Sequence, residues 1–317
     1  MDEFEIIRRY FERESSDKDI RLGICDDGAV LVPSADRDLV SVVDTLVSGI
    51  HFPETLDAAD VGYRAVVVNL SDVAAMGARP RWMTLALTLE RADPGWLEDF
   101  ARGLFEAADE HGMALVGGDT THGSQTVISV QIIADVEPGR ALTRAGAQAG
   151  DAIYVTGTVG DAAAGLSILQ SGLPDDENVR YLVQRFARPV ARVAAGAAIA
   201  EFAHAAIDLS DGLYSDLEKL LTASGVAGSL ELRELPLSPQ LRRLMNEEDA
   251  LRFALSGGDD YELCFTADAA DELIRELGEE VGVAMTRIGQ VEEGRGLSCL
   301  QDGVAYDYQD PGYRHFH

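Results

Sequence analysis

Residues 66–90 read VVVNLSDVAAMGARPRWMTLALTLE, and the two halves of this stretch follow different periods. A helix expected from about Asp60 to Met76 is apolar almost all round, the mark of a helix buried on every side. From Trp82 to Glu90 apolar and polar residues alternate, which is the period of a strand. The same alternation of element types continues outward. On the N-terminal side, residues 2–13 suit an amphipathic helix, and Ala29–Val32 and Leu39–Asp44 are β-rich. On the C-terminal side, Pro94 opens a helix that runs to His111 and stops at Gly112. Strands over Met113–Val116 and Thr126–Val136 then end in the turn residues Glu137-Pro138-Gly139.

Beyond the segment RALTRAGAQAGD (140–151) a second mixed pattern begins. Strands are expected at Asp151–Thr156, Ala205–Asp208, Tyr261–Thr266 and Met285–Val291. Helices are expected at Ala162–Gln170, over an alanine-rich stretch from Val190 to Ala203, and from near Asp211. A length of 317 residues suits two domains, and both halves mix helices with strands. The expected class is α/β (α+β), with domains 1–138 and 139–317.

The net charge of −29 excludes a basic nucleic-acid footprint and docking on anionic membranes. No run is apolar enough for a membrane span, and the acidic MDEFEIIRRYF start lacks signal-peptide character. Cys25, Cys264 and Cys299 are scattered, with no CxxC pair, as suits a reducing cytoplasm. The six histidines form no zinc pattern.

The chemistry lies in a series of aspartates at strand ends or beside glycines. They stand in GICDDGAV (Asp26, Asp27), VSVVDTLVSGIHF (Asp44), VNLSDVAAMG (Asp72), LVGGDTT (Asp119), AIDLSDGL (Asp208, Asp211) and LSGGDDYEL (Asp259, Asp260). Aspartate at a strand end delivers its carboxylate to the sheet edge, where open α/β folds bind ligands. Converging carboxylates are costly unless a hard cation compensates them. Asp72, in an apolar helix, fits a metal ligand or an internal ion pair with arginine, and Asn69 one turn earlier offers a second oxygen. Asp211 fits a ligand or a helix N-cap, Asp119 a ligand or an Asx turn, and Arg144 a phosphate clamp or an interdomain salt bridge. GxxxxGK[ST], the protein-kinase signature set and GxSxG are all absent. The turn GTVGDAAAG fits a strand-to-helix turn better than a phosphate loop.

Nine segments in order resemble the thiamine-monophosphate kinases, of the superfamily that includes aminoimidazole ribonucleotide synthetase. They are GICDDGAVL, DTLVSGIHF, VNLSDVAAMGARPRW, LVGGDTT, LTRAGAQAGD, YVTGTVGDAAAGL, AIDLSDGLYSDL, ALSGGDDYELCFT and the terminal GYRHF. The resemblance implies an N-terminal domain that forms a homodimer through a shared half-barrel sheet. It also implies a C-terminal α/β domain that completes an active-site cleft. The implied reaction moves the γ-phosphoryl group of ATP to thiamine monophosphate, with several Mg2+ ions and no side-chain nucleophile. By matched positions the metal ligands are Asp27, Asp44, Asp72, Asp119, Asp208 and Asp211. Gly118, Asp119, Arg144 and Ser210 would touch ATP, and His51, Asp259 and Tyr313 the thiamine substrate. Three positions depart from the family pattern. Val42 and Val43 replace hydroxyl residues, Asp259 replaces a longer glutamate, and Cys25 stands where glycine is common. The alternatives are an aminoimidazole ribonucleotide synthetase-like enzyme or a non-catalytic acidic protein that binds divalent ions.

Overall fold

The computed structural model describes residues 1–24 and 26–308. They form two compact units, one made of Met1–Val73 and Ala78–Gly139, the other of Ala74–Gly77 and the chain from Arg140 onward.

The first unit opens with α1 (Glu3–Ile6), closed by a capping box in which Asp2 and Glu5 exchange side-chain and backbone bonds. Helix α1 runs directly into a π-helical turn, Ile7–Phe11. A short hairpin, β1 (Ile20–Leu22) with β2 (Val30–Leu31), follows. Then come β3 (Asp38–Val47), α2 (Ala58–Ala75), β4 (Arg79–Leu89), α3 (Pro94–Glu110), β5 (Ala114–His122) and β6 (Val127–Val136). The last four strands make one sheet in the order β3-β6-β4-β5, antiparallel except for the β4–β5 pair, which α3 connects as a crossover.

Residues Val61–Ser71 of α2 are all buried, as the unbroken apolar run requires. The backbones of α2 and α3 approach so closely that a Cβ at Gly62 or Gly103 would meet the carbonyl of Phe100 or Ala59 at 2.1 or 1.8 Å. The sheet's inward face buries Leu46, Leu85, Leu87, Ile128, Val130 and Ile132. On its other face Leu39 and Val43 are 53% and 63% exposed, beside a polar row in which Thr45 meets Ser129 and Gln131 meets Ser41.

The hairpin is tied down at its base. Arg81 bonds Asp19 and Asp135, each at 2.7 Å, and the Trp82 indole donates to Asp17. Burial alone would push the Asp135 carboxyl up, but Arg79 and Arg81 outweigh it and hold it below the usual carboxylate range.

The second unit contains β7 (Ala152–Thr156), α4 (Asp161–Ser171), α5 (Glu177–Ala187), α6 (Val193–Ile199), β8 (Ala205–Asp208), α7 (Leu213–Ser224) and β9 (Ala227–Glu231). It continues with α8 (Pro239–Leu244), α9 (Glu247–Ser256), β10 (Leu263–Ala267), α10 (Asp271–Val281), β11 (Met285–Glu292), β12 (Gly296–Gln301) and β13 (Val304–Tyr306). Its strands form a single sheet ordered β13-β12-β9-β11-β7-β10-β8.

Central strands bury both faces. Ile153 and Val155 pack with Leu217 and Leu220 of α7, while Tyr154 packs with Phe265 of β10 and Ile199 of α6 on the other side. A third cluster joins α4, α5, α8 and α9. This unit is a sheet between helical layers. No helix of the described residues is long and apolar enough to cross a membrane.

Candidate active site

In the first unit a cavity of about 820 Å³ opens between the β1–β2 loop and β5. Asp27, Gly118 and Asp119 line one part of it, and Phe4, Ile7 and Phe11 another. Asp119 lies inside β5 and not in a turn, so the Asx-turn reading falls away. Gly118 is the residue that lets β5 run so near β4. Its φ is +151°, and a Cβ there would sit 1.8 Å from the Leu85 carbonyl. The aromatic part of the cavity was not foreseen, because a single amphipathic helix over 2–13 gave no sign that its apolar side faces the Asp27 loop.

Asn69 links the main chain at Asp44 of β3 to helix α2. Asn69 is fully buried, and its Oδ1 accepts the Asp44 main-chain N–H at 2.9 Å while its Nδ2 donates to Ala65. Its oxygen therefore fastens edge strand β3 to α2. Asp72, one turn further along α2, is half-buried. His51 sits in the turn after β3, where its Nδ1 accepts the Val47 N–H at 3.0 Å.

In the second unit Asp208 ends β8 and is 4% exposed. Ser210 and Asp211 follow in a short loop before Gly212, the N-cap of α7. Asp211 is therefore not the cap. Asp216, inside the helix, takes that role, and its Oδ2 accepts N–H bonds from Ser210, Asp211 and Gly212 at 3.0, 2.9 and 3.2 Å. Its other oxygen accepts from Lys219, which also bonds Asp211. Burial pushes the Asp216 carboxyl up, against the pull of Lys219.

Asp259 is zipped to this loop, its N–H donating to the Ser210 carbonyl at 2.9 Å. Arg144 is exposed in a segment laid along β8, where Thr143 accepts the Ala206 N–H. Tyr313 and Cys25 lie outside the described residues.

The glycine turn before α4 holds no room for a phosphate. The buried Asp260 carboxylate already accepts the N–H groups of Gly160 and Ala162, at 2.6 and 3.1 Å. Asp216 and Asp260 were missed as structural acids. The available signal was a glycine N-cap in one case, and a helix N-terminus with no capping side chain in the other.

Among the described residues no group of three or more His, Cys, Asp or Glu side chains converges on one metal position. Magnesium does not require such a cage. It keeps several waters and takes one or two carboxylates together with substrate phosphates, and the aspartates here are the hard oxygen donors it prefers. The donor set fits that ion.

Residues 25–136 match the N-terminal domain, and residues 148–300 the C-terminal domain, of AIR synthase related proteins. The chain is similar to the thiamine-monophosphate kinase of Escherichia coli K12, with 48% identity across 99% of this chain and 98% of that one. It is also similar to the solved thiamine-monophosphate kinase of Stenotrophomonas maltophilia K279a, at 46% identity and a TM-score of 0.86, over 92% of this chain and 93% of that one. A structure of AaThiL complexed with AMPPCP and TMP superposes with a TM-score of 0.80 at 34% identity, over 90% and 89% of the two chains.

Proposed function

This chain belongs to the thiamine-monophosphate kinases of the AIR synthase-related family, and from that premise we propose that it moves the γ-phosphoryl group of ATP directly onto thiamine monophosphate. The products are thiamine diphosphate and ADP. The observation that carries this reading is the cavity where Asp27, Gly118 and Asp119 meet, in a chain whose relative is complexed with AMPPCP and TMP.

The attacking oxygen belongs to the substrate phosphate and is already ionised at neutral pH, so no side-chain nucleophile is needed. The protein's work is positioning and charge neutralisation. Asp27, Asp44, Asp72, Asp119, Asp208 and Asp211 would hold several Mg2+ ions, which would neutralise phosphate oxygens and stabilise charge in the transition state.

Gly118 gives backbone access beside Asp119, Ser210 offers its hydroxyl to the nucleotide, and Arg144 clamps phosphate oxygens through its fork of donors. On the thiamine side, Asp259 and His51 meet the substrate. Tyr313 would lay its ring against the cationic heterocycle. The shorter Asp259 is directed by a left-handed backbone, φ 72°, and by the Tyr261 hydroxyl, which donates to its Oδ1 at 3.0 Å.

The exposed Leu39 and Val43 face of the first unit supports pairing with a second copy of the chain. Incubation with ATP, thiamine monophosphate and Mg2+ tests the reaction itself. Thiamine diphosphate and ADP should accumulate in equal amounts and stop forming when the metal is chelated. ATP loss without thiamine diphosphate would reject the reading.

A further inference from the structure

We infer that the two buried carboxylates of the second unit, Asp216 and Asp260, are positioning residues with separate duties, Asp216 for the nucleotide-side loop and Asp260 for the thiamine-side loop. The inference rests on the proposed roles of Ser210, Asp211 and Asp259.

The loop Ser210–Gly212 turns sharply between the end of β8 and the start of α7, which leaves a run of main-chain N–H groups with no helical partner. Gly212, at the cap position, has no side chain to satisfy them. Asp216 reaches back from the first turn of α7 and takes all three with one oxygen. Its second oxygen accepts from Lys219 at 2.7 Å, so the anion is compensated although only 1% exposed. One side chain thus fixes the backbone that carries both Ser210 and Asp211.

Asp260 acts in the opposite direction. It is 2% exposed and inserts into the N-terminus of α4, where Gly160 and Ala162 donate to its two oxygens. Its neighbours on either side, Asp259 and Tyr261, are held at φ 72° and 51°. Residues with a Cβ avoid that region, and such strain persists only where the surroundings over-determine it. The contacts that do so include the Asp260 anchor, the Asp259 N–H to the Ser210 carbonyl, the Tyr261 N–H to the Leu209 carbonyl and the Tyr261 hydroxyl to Asp259. Releasing Asp260 frees Asp259 to relax to negative φ and swing its carboxylate away. The Ser210 loop keeps its Asp216 clamp when that happens.

The two duties make a crossed pattern that a general loss of stability does not produce. Asp216→Asn, Asp260→Asn, Ser210→Ala and Asp259→Ala are titrated calorimetrically with AMPPCP–Mg2+ and with thiamine monophosphate. Asp216→Asn should weaken the nucleotide by about 10-fold or more and thiamine monophosphate by less than about 3-fold. Asp260→Asn should do the reverse, within the range typical of residues that orient a binding group.

If Ser210→Ala and Asp259→Ala move neither ligand, the assignment of the loops is wrong. If they behave as assigned while the two buried-acid variants weaken both ligands equally, or neither, the positioning roles are wrong. Hydrogen exchange on the unmodified protein covers the case in which a variant does not fold. The amides of residues 160, 162 and 210–212 should be protected as strongly as the interiors of α4 and α7. Rapid exchange there would overturn the inference.

Discussion

Asp27 in its loop and Asp208 on its strand apart, the two units carry their candidate acids in different ways. In the N-terminal unit Asp44, Asp72 and Asp119 stand within regular elements, β3, α2 and β5, so the sheet and helix themselves aim the carboxylates. In the C-terminal unit Ser210, Asp211 and Asp259 stand in loops, and those loops are held by acids buried behind them. A carboxylate on a strand inherits its direction from the pleat, whereas one on a loop needs a second layer of polar groups to fix it. The N-terminal site should therefore fail by loss of a ligand, and the C-terminal site by loss of a support.

The largest expected effect lies on the ligand side of that contrast. Asp72→Asn should cut ATP-dependent turnover by on the order of 10²-fold, as a loss of several kcal/mol of charge stabilisation implies. The isosteric amide keeps α2 packed, so circular dichroism should be unchanged. Near-normal turnover at limiting Mg2+ would remove Asp72 from the ligand set.

On the C-terminal side, Arg144→Ala should raise the KM for ATP by roughly 10-fold, the value of about one charge-assisted hydrogen bond. The KM for thiamine monophosphate should move less. Steady-state rates with each substrate varied in turn separate the two, and a shift confined to the thiamine side would reassign the residue.

The smallest effect concerns pH, and its sign differs between the units. Asp135 is held below its ordinary value, so its stabilisation is present above about pH 4 and lost as pH falls through the acid range. Asp260 is pushed up to about 8, by burial first, against the N–H groups of Gly160 and Ala162 and the charge of Arg185. Its contribution is full below about pH 4 and is lost as pH rises towards 8. Thermal melts should show Asp135→Asn flattening the acid limb and Asp260→Asn flattening the slope between about pH 5 and 8. If neither variant changes its own window, the charges assigned to these two acids are wrong.

The same contrast explains what the sequence revealed. Helix α2 and strand β4 were legible to within a few residues, expected at about 60–76 and 82–90 and found at Ala58–Ala75 and Arg79–Leu89. Their periods are set by burial on all sides and by one buried face, so local pattern and tertiary packing agree. The alanine-rich stretch 190–203 looked like one long helix, yet α6 covers only Val193–Ile199. Helix propensity there gives way to sheet pairing, as the His204 N–H is drawn to the Thr266 carbonyl at the start of β8. Strands β9, β12 and β13 carry little alternation and were not read. The residues proposed to touch ligands stand in short motifs that are each weak alone and specific only as an ordered series. The acids behind them act through backbone groups far away in sequence, Asp260 on Gly160 being a hundred residues distant, and no local pattern reports such a pairing.

In the proposed function Asp119 and Asp211 are both assigned to the magnesium–nucleotide complex. A double-mutant cycle joining Asp119 to Asp211 tests that assignment most directly. AMPPCP affinity is measured as a function of Mg2+ for Asp119→Asn, Asp211→Asn and the pair. Acids that share one bound complex should be coupled, with the double variant departing from the sum of the single effects by about 0.5 kcal/mol or more. Strict additivity across the Mg2+ series would contradict the account.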